Sequence, residues 1–269
     1  MKKEIHKDID AENKRTLEQM ISDGIINRLL YKYRADDENS EKIFTEHTLW
    51  FAHPKQFNDP FDCWANIQYI NRKGLYDLAE NVPMSDTLKY IYKNGIPVCT
   101  KEIYKRNIDE VFNRIGICSF SKNCQNILMW SHYAQYHEGF CLQFDTLEDP
   151  SFFSLALPVN YVDTMPEYDL FTDIIDMLDK TIKPKSRVWE YEEEVRIIKT
   201  RREIDYNKSQ AFEFNPNALK KIIFGCKTHK TVIEKYKKLC KKNGFKHIKF
   251  SQMHRKTNGE YKLEEIEIK

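Results

Sequence analysis

The chain has 269 residues, of which 41% are hydrophobic and 13% aromatic, so a disordered chain and a mini-protein are both excluded. Its 43 basic and 41 acidic residues leave a net charge of +2, which is too small to indicate a nucleic-acid or membrane partner by itself. No run approaches the roughly 18 apolar residues of a membrane span, and no apolar segment follows the N-terminal lysines. We therefore expect a soluble, cytoplasmic protein.

Turn signals and hydrophobic periodicity predict helices and strands along the whole chain. The elements predicted in the first part are a polar helix over 1–24, a strand over 28–34, a helix after the cap at 36–40, a strand over 48–52 and a loop over 53–62. Those in the middle are helical 75–114, strand 116–120, helix 126–136, strand 139–144, helix 168–182 and strand 190–199. Those at the end are strand 221–224, helix 231–243 and strands 246–250 and 261–268.

These elements predict one α+β domain over residues 1–269, with mixed or antiparallel sheets, because no regular βαβ alternation occurs. The expected parts of this domain are a polar extension over 1–27, helical insertions over 75–114 and 165–183, and a lysine-rich strand–helix–strand–strand unit over 219–268.

A first group of candidate functional residues combines cations, an aromatic ring and a polar loop. Alternation along the first strand puts Lys32 and Arg34 on one face and Tyr33 on the other. Two cations on one face can hold a diphosphate. The same pattern is also typical of an edge strand whose charged side chains prevent pairing with another chain. Asn58 and Asp59 follow in a loop, where they indicate either a polar contact to a ligand or an Asx turn.

A second group lies on the predicted helix 126–136. Trp130, His132 and Tyr133 form an aromatic stripe there, which either lines a pocket or packs in the core. If it is buried, the imidazole needs a hydrogen-bond partner. We expect Trp130 and His132 at the wall of a cleft.

A third group is the acidic run of the predicted strand 190–199. Alternation puts Glu190, Glu192, Glu194 and Arg196 on one face. Carboxylates stacked along one face repel each other unless they meet cations, a metal or a substrate hydroxyl. Alternatively, the acidic run is the solvent-facing side of an ordinary strand. We expect the strands 29–34, 48–52 and 190–198 to share one central sheet around a common cleft.

The order of these motifs resembles a bacterial family known only as a domain of unknown function, DUF2971. The motifs, in chain order, are YKYR, FNDPFD, CSFS, MWSHYA, HEGFCLQF and WEYEEEVRII, within roughly residues 29–268. That family in turn is similar to the ADP-ribosyltransferase fold, in which a first strand binds the nicotinamide ribose and a late strand carries the catalytic Glu. Residues 30–34 take the first-strand position, with Lys32 where that fold usually has His.

The resemblance implies an NAD-dependent ADP-ribosyltransferase, or an NAD-consuming toxin or defence-type effector, with NAD as co-substrate and no metal. Glu194 would stabilise the oxocarbenium-like state at the ribose, and Glu192 would help to activate the acceptor. The strand cations would hold the phosphates, while Tyr33 or Trp130 would stack on the nicotinamide.

Two other classes of function stay open from the residues alone. Asp59, Asp62, Glu192 and Glu194 offer the hard oxygen ligands of a Mg²⁺-dependent nuclease. A non-enzymatic module that binds protein or nucleic acid is the third class. The segment 220–249 holds eleven lysines and one acidic residue, so it is the candidate contact for nucleic-acid phosphates.

The seven cysteines predict free thiols rather than a disulfide framework or a zinc site. Their number is odd, and no pair has the CxxC spacing. We accordingly expect a reducing compartment.

Overall fold

An eight-stranded mixed sheet organises the structure, a computed structural model that describes residues 2–67, 112–168, 174–200 and 210–269. Its strands, in chain order, are β1 (Leu29–Arg34), β4 (Ile115–Ser121), β5 (Phe140–Asp145), β6 (Ala156–Pro158), β10 (Glu194–Thr200), β12 (Leu219–Phe224), β13 (Lys249–Arg255) and β14 (Leu263–Glu267). The shorter strands are β2 (Thr48–Trp50), β3 (Asn66–Ile67), β7 (Asn160–Val162), β8 (Glu167–Tyr168), β9 (Pro184–Ser186) and β11 (Ala211–Glu213). The helices are α1 (Lys2–Ser22), α2 (Glu38–Thr45), α3 (Ile127–Tyr133), α4 (Pro150–Phe153), α5 (Ile174–Ile182) and α6 (Lys230–Lys242).

The strand order of the large sheet is β14-β13-β12-β5-β1-β4-β10-β6. All neighbouring strands run antiparallel except β12 and β13, which are parallel. Together with the helices, this arrangement confirms the predicted α+β class.

Apolar residues cover both faces of the sheet, as the alternation along β5 shows. Leu142 and Phe144 point into the main core, which also receives side chains from α1, α2, α4 and α6. Cys141, which precedes Leu142, points to the other face and into a second cluster that packs beneath α3. A third, smaller cluster lies near β4 and the end of α5. Both faces of the sheet are thus covered by apolar side chains.

Strands β1 and β4 separate almost as soon as they meet. They are paired only at Tyr31 and Ser121, whereas β1 pairs with β5 at six positions from Leu29 to Arg34. On its other side β4 pairs with β10 along its whole length. The sheet therefore opens between β1 and β4, and this gap positions the pocket described below.

The strand predicted over 48–52 forms, but it does not join the central sheet. Residues 48–50 pair with β11 in a separate two-stranded sheet, and a single bridge from Ala52 to Ile117 links this segment to β4. The expectation that 48–52 lines the cleft as a central strand is wrong, because its pairing partner is chosen by tertiary packing that local pattern does not reveal.

The strand predicted over 190–199 begins later than expected. Residues 187–192 form a 3₁₀ helix, and Glu193 adopts a left-handed conformation with φ 45° before β10 starts. Its backbone N–H donates to the carbonyl of Glu190 and closes the turn. Glu190 is consequently exposed and does not share a strand face with Glu194.

The two predicted helical insertions, 75–114 and 165–183, are described by the structure to different extents. Residues 75–111 of the first helical insertion lie outside the described residues. In the second, α5 confirms the predicted helix over Ile174–Ile182, and residues 169–173 of that prediction lie outside the described residues. The N-terminal helix α1 is more than an extension, because Leu17 is fully buried in the main core. Within the described ranges, no helix is both long and apolar enough for a membrane span.

Gly139 offers a test of the close approach between β1 and the segment that follows α3. A Cβ atom at Gly139 would lie 2.2 Å from the carbonyl oxygen of Arg34, so neither backbone has room for it. We expect Gly139→Ala to lower the free energy of unfolding by about 3 kcal/mol, measured by urea denaturation. Gly24→Ala is the control, because its site is open and only its φ of +69° is costly, by about 1 kcal/mol. Equal effects of the two substitutions would contradict the close approach.

Candidate functional site

A pocket of about 380 Å³ lies where β1 and β4 diverge. Its walls come from β1, β4, α3, the loop around Asn58, β9 and the turn before β10. Eight of the ten site residues that the sequence predicts line it, namely Lys32, Tyr33, Arg34, Asn58, His132, Tyr133, Glu192 and Glu194. Four segments distant in sequence, 32–34, 58, 132–133 and 192–194, therefore converge on one cavity.

Five buried charged residues contact one another at this pocket, and we call them the ion cluster: Asp62, Lys185, Glu192, Glu194 and Arg196. The first four line the pocket, and Arg196 lies behind them, fully buried. Arg196 Nη2 donates to both oxygens of Asp62, at 2.6 and 2.9 Å, and Arg196 Nε donates to Glu194 Oε1 at 3.0 Å. Lys185 Nζ donates to Glu194 Oε2 at 3.0 Å, contacts Glu192 and lies 3.4 Å from Asp62. Each of the five residues is at most 9% exposed. A charge buried this deeply persists only with such partners.

Glu194 is fixed by both cations of the ion cluster. Arg196 Nη2 also donates to its Oε2, at 3.1 Å, so each oxygen accepts at least one charged hydrogen bond. Burial raises the pKa of Glu194, but the positive charges of Arg196 and Lys185 outweigh this and lower it to about 2. Glu194 is therefore ionised at any physiological pH.

Glu192 has fewer partners and a different electrostatic balance. Tyr133 Oη donates to its Oε1 at 2.5 Å, and Lys185 contacts its Oε2. Burial raises the pKa of Glu192, Lys185 lowers it, and the nearby charge of Glu194 raises it, so that the pKa lies above the ordinary value. Burial and the carboxylate of Glu192 also raise the pKa of Tyr133, so this phenol stays protonated and donates its hydrogen bond.

The ion cluster carries one negative charge more than its cations neutralise. Three carboxylates face one guanidinium and one ammonium, which gives −3 + 2 = −1 when all are ionised. Carboxylates close together cannot all be neutralised by fewer cations, and the least well paired of the three is Glu192. The surplus charge therefore faces the pocket at Glu192.

The two cations of β1 also line the pocket. Lys32 Nζ donates to the carbonyl of Ser119 at 2.9 Å and lies 5.3 Å above the ring of Phe120. Arg34 Nε donates to Ser40 Oγ at 3.0 Å. Lys32 thus bridges the gap between the two diverging strands.

The remaining predicted site residues are divided between wall and core. His132 is exposed and lines the pocket, with its ring 6.3 Å from that of Tyr191. Trp130 is fully buried, its indole N–H donates to the carbonyl of Cys124, and it is not among the described residues that line the pocket. Asp59 is also outside this lining, and its carboxylate accepts from the backbone N–H of Phe61 in a turn. The placement of Trp130 and Asp59 beside a ligand is accordingly corrected to core packing and an Asx turn.

Sequence reasoning missed Lys185. It lies on β9 between Pro184 and Ser186 and is 7% exposed, with its ammonium 5.3 Å above the ring of Trp189. A short segment with two lysines and a proline is typical of an exposed turn, so no local signal marks it. The acidic run of 190–194 was the available clue, because so many carboxylates require a cation from elsewhere.

Oxygen ligands for a divalent metal are present but engaged. Asp62, Glu192 and Glu194 each accept a hydrogen bond from Lys185 or Arg196. The ammonium of Lys185 therefore already occupies the place that a metal cation would take. Across the described ranges, no group of three His, Cys, Asp or Glu side chains is arranged to hold a metal ion. The groups available to an organic cofactor are the rings and cations of the pocket walls.

Comparison with known proteins places part of this site in a family. Residues 129–197, about a quarter of the chain, match the model described as "Protein of unknown function (DUF2971)". This range carries Tyr133, Lys185, Glu192 and Glu194, so the match supports the family predicted from the motifs over that segment. Neither the curated proteins nor the solved structures include a match to this chain.

The unequal pairing of Glu192 and Glu194 predicts opposite effects of the same substitution on stability. Glu194→Gln removes a carboxylate whose pKa is strongly lowered, so the free energy of unfolding at pH 7 should fall by about 3 kcal/mol. Glu192→Gln removes the surplus charge and should leave stability unchanged or raise it. Urea denaturation of both variants measures the difference, and a Glu192→Gln protein that is the less stable of the two would contradict the charge count.

The low pKa of Glu194 also predicts how stability depends on pH. Its folded pKa of about 2 lies below the unfolded value of about 4.3, so its contribution is complete above pH 4.3 and is lost as pH falls towards 2. We expect the stability difference between the unmodified protein and Glu194→Gln to shrink across that window. Glu190→Gln, at an exposed position, should show no such change in denaturation curves recorded from pH 6 to pH 3.

Proposed function

We propose that the pocket binds NAD and that the protein transfers its ADP-ribose unit to an acceptor, with Glu192 as the carboxylate that faces the reacting ribose. The observation that carries this proposal is the surplus negative charge of the ion cluster at Glu192. A positive charge that develops on the ribose would be neutralised by this surplus. Glu192 would therefore stabilise the transition state more than the ground state.

The hydrogen-bond partners favour Glu192 over Glu194 for the reacting role. A carboxylate has about four lone-pair sites. Those of Glu194 are largely occupied by Arg196 and Lys185, whereas Glu192 accepts from Tyr133 and Lys185 only, within the described residues. Glu194, which sequence reasoning placed at the ribose, is then a positioning residue that fixes the cations around Glu192.

The proposed reaction needs no group beyond the substrate and the acceptor. The bond between nicotinamide nitrogen and ribose C1′ breaks, its electron pair leaves with neutral nicotinamide, and positive charge develops on the ribose. Glu192 stabilises that charge across the pocket. The acceptor oxygen or nitrogen then bonds to C1′ and gives its proton to Glu192, whose raised pKa suits proton acceptance.

Strand β1 and α3 offer groups for the rest of the dinucleotide. Lys32 uses one of its three N–H groups on Ser119, and within the described residues the others are available to a phosphate. Arg34 lies two residues further along the same strand, and the rings of His132 and Tyr133 can pack against the nicotinamide. The resemblance to the ADP-ribosyltransferase fold is supported by a gap in an α+β sheet between the strand of Lys32 and the carboxylates.

A metal-dependent nuclease is the weaker candidate. Its carboxylates would have to exchange the ammonium of Lys185 for Mg²⁺, and Asp59 points into its own turn instead of the pocket.

The lysine-rich segment 220–249 stays a candidate contact for a nucleic-acid acceptor. Part of its charge is already paired, as in the contacts of Lys235 with Asp36 and of Lys221 with Glu265.

Nicotinamide release tests the proposed activity directly. The purified chain is incubated with NAD, with and without EDTA, and nicotinamide is quantified by chromatography. We expect turnover that EDTA does not change, and a loss of about 100- to 1000-fold in Glu192→Gln because a preorganised charge is removed.

Glu190→Gln is the matched control, since Glu190 lies in the same 3₁₀ segment but is exposed and pairs with Arg187. It should retain full turnover. Glu192→Gln must be shown to keep its melting temperature, so that lost turnover is not lost fold. No nicotinamide release by the folded protein together with no thermal shift in NAD would overturn the proposal, and EDTA-sensitive cleavage of nucleic acid would favour the nuclease.

A further inference from the structure

A second group of reactive side chains lies on the far side of α3, outside the pocket lining. Its members are Ser131 at the end of α3, His137 in the following 3₁₀ turn, and Cys226 after β12. His137 Nε2 lies 3.1 Å from Ser131 Oγ, and His137 Nδ1 lies 3.7 Å from Cys226 Sγ. Of the six cysteines in the described part of the chain, Cys226 is the one that is partly exposed.

The hydrogen bonds determine which nitrogen of His137 carries the proton. Ser131 Oγ lies 3.0 Å from the carbonyl oxygen of Ile127, which can only accept, so the hydroxyl proton points there. Ser131 must then accept from His137 Nε2–H. In the neutral ring, Nδ1 is therefore unprotonated, and it is this nitrogen that faces the thiol of Cys226.

The surroundings hold this geometry in place and keep the ring neutral. The ring of His137 stacks on Trp130, with centroids 6.4 Å apart and an angle of 17°. The backbone N–H of Lys227 donates to the carbonyl of His137, and Gly225 permits this approach because a Cβ there would lie 2.0 Å from that oxygen. Burial, and then the charge of Lys227, lower the pKa of His137.

We propose that Cys226 is a nucleophilic thiol that forms a mixed disulfide with a small, carboxylate-bearing disulfide, with His137 as its general base and Ser131 as the residue that orients the base. A base within hydrogen-bond reach of a thiol, itself oriented by a third group, is the arrangement that activates a nucleophile. Lys227 is exposed beside the thiol, and its positive charge complements the carboxylates of such a reagent.

The step balances without another reactant. His137 Nδ1 takes the thiol proton as Sγ attacks one sulfur of the reagent, and the S–S bond of the reagent breaks. The second sulfur leaves as a thiolate and takes up the proton. Cys226 is oxidised to the mixed disulfide, and half of the reagent is reduced to a thiol.

Oxidised glutathione is the probe for the experiment on the purified full chain. The adduct is followed by intact mass, located by peptide mapping, and its rate is measured from about pH 6 to pH 8. We expect one adduct, on Cys226, none on that peptide in Cys226→Ser, and a rate in His137→Ala about 100-fold lower near pH 7. The rate of that variant should depend more steeply on pH than the rate of the unmodified protein, because its thiol has no base beside it.

His254→Ala is the matched control, because His254 is exposed on β13 and should leave the rate unchanged. If His137→Ala loses its melting transition, Ser131→Ala and the pH profile of the unmodified protein decide instead, since removal of the orienting hydroxyl should slow the adduct severalfold. An adduct located on a different cysteine, or a His137→Ala variant that is folded and equally fast at every pH, would overturn the proposal.

Discussion

Arg196 places a full positive charge in the interior of the sheet, and the structure around the pocket depends on neutralising it. Its guanidinium is completely buried and reaches Asp62 from the loop before β3, Glu194 from its own strand and the carbonyl of Ile182 at the end of α5. A buried charge without partners costs several kcal/mol, so these segments can dock only together. The pocket wall is therefore assembled by the same contacts that stabilise the fold.

This dependence explains why the site could be predicted in part. Glu192, Glu194 and Arg196 are close in sequence, and their unusual charge pattern was visible as a group that needs partners. The local structure was nevertheless misjudged, because the left-handed turn at Glu193 has no signature in an otherwise strand-like run. The role of Lys185 could not be predicted from the sequence, because its burial results from carboxylates on other segments and not from its own neighbours in sequence.

The same division between local and tertiary information applies to the fold. Periodic segments such as β1, β5 and α6 appear where their sequence predicts, because each has an apolar face that the core requires. Pairing partners are a property of the whole molecule, and β2 accordingly pairs outside the central sheet. Trp130 illustrates the limit for single residues, because an aromatic stripe beside a pocket and one beneath it have the same spacing.

The early separation of β1 and β4 has a consequence for how this site could change over evolution. Beyond the pair of Tyr31 and Ser121, the facing edges of the two strands no longer satisfy each other's main-chain groups. A ligand in the gap can bind those N–H and C=O groups directly, as an added strand would. Such contacts persist when the lining side chains are replaced. A ligand that used these main-chain groups would be held in the same way in homologous chains, even where lining side chains such as Lys32 and Arg34 differ.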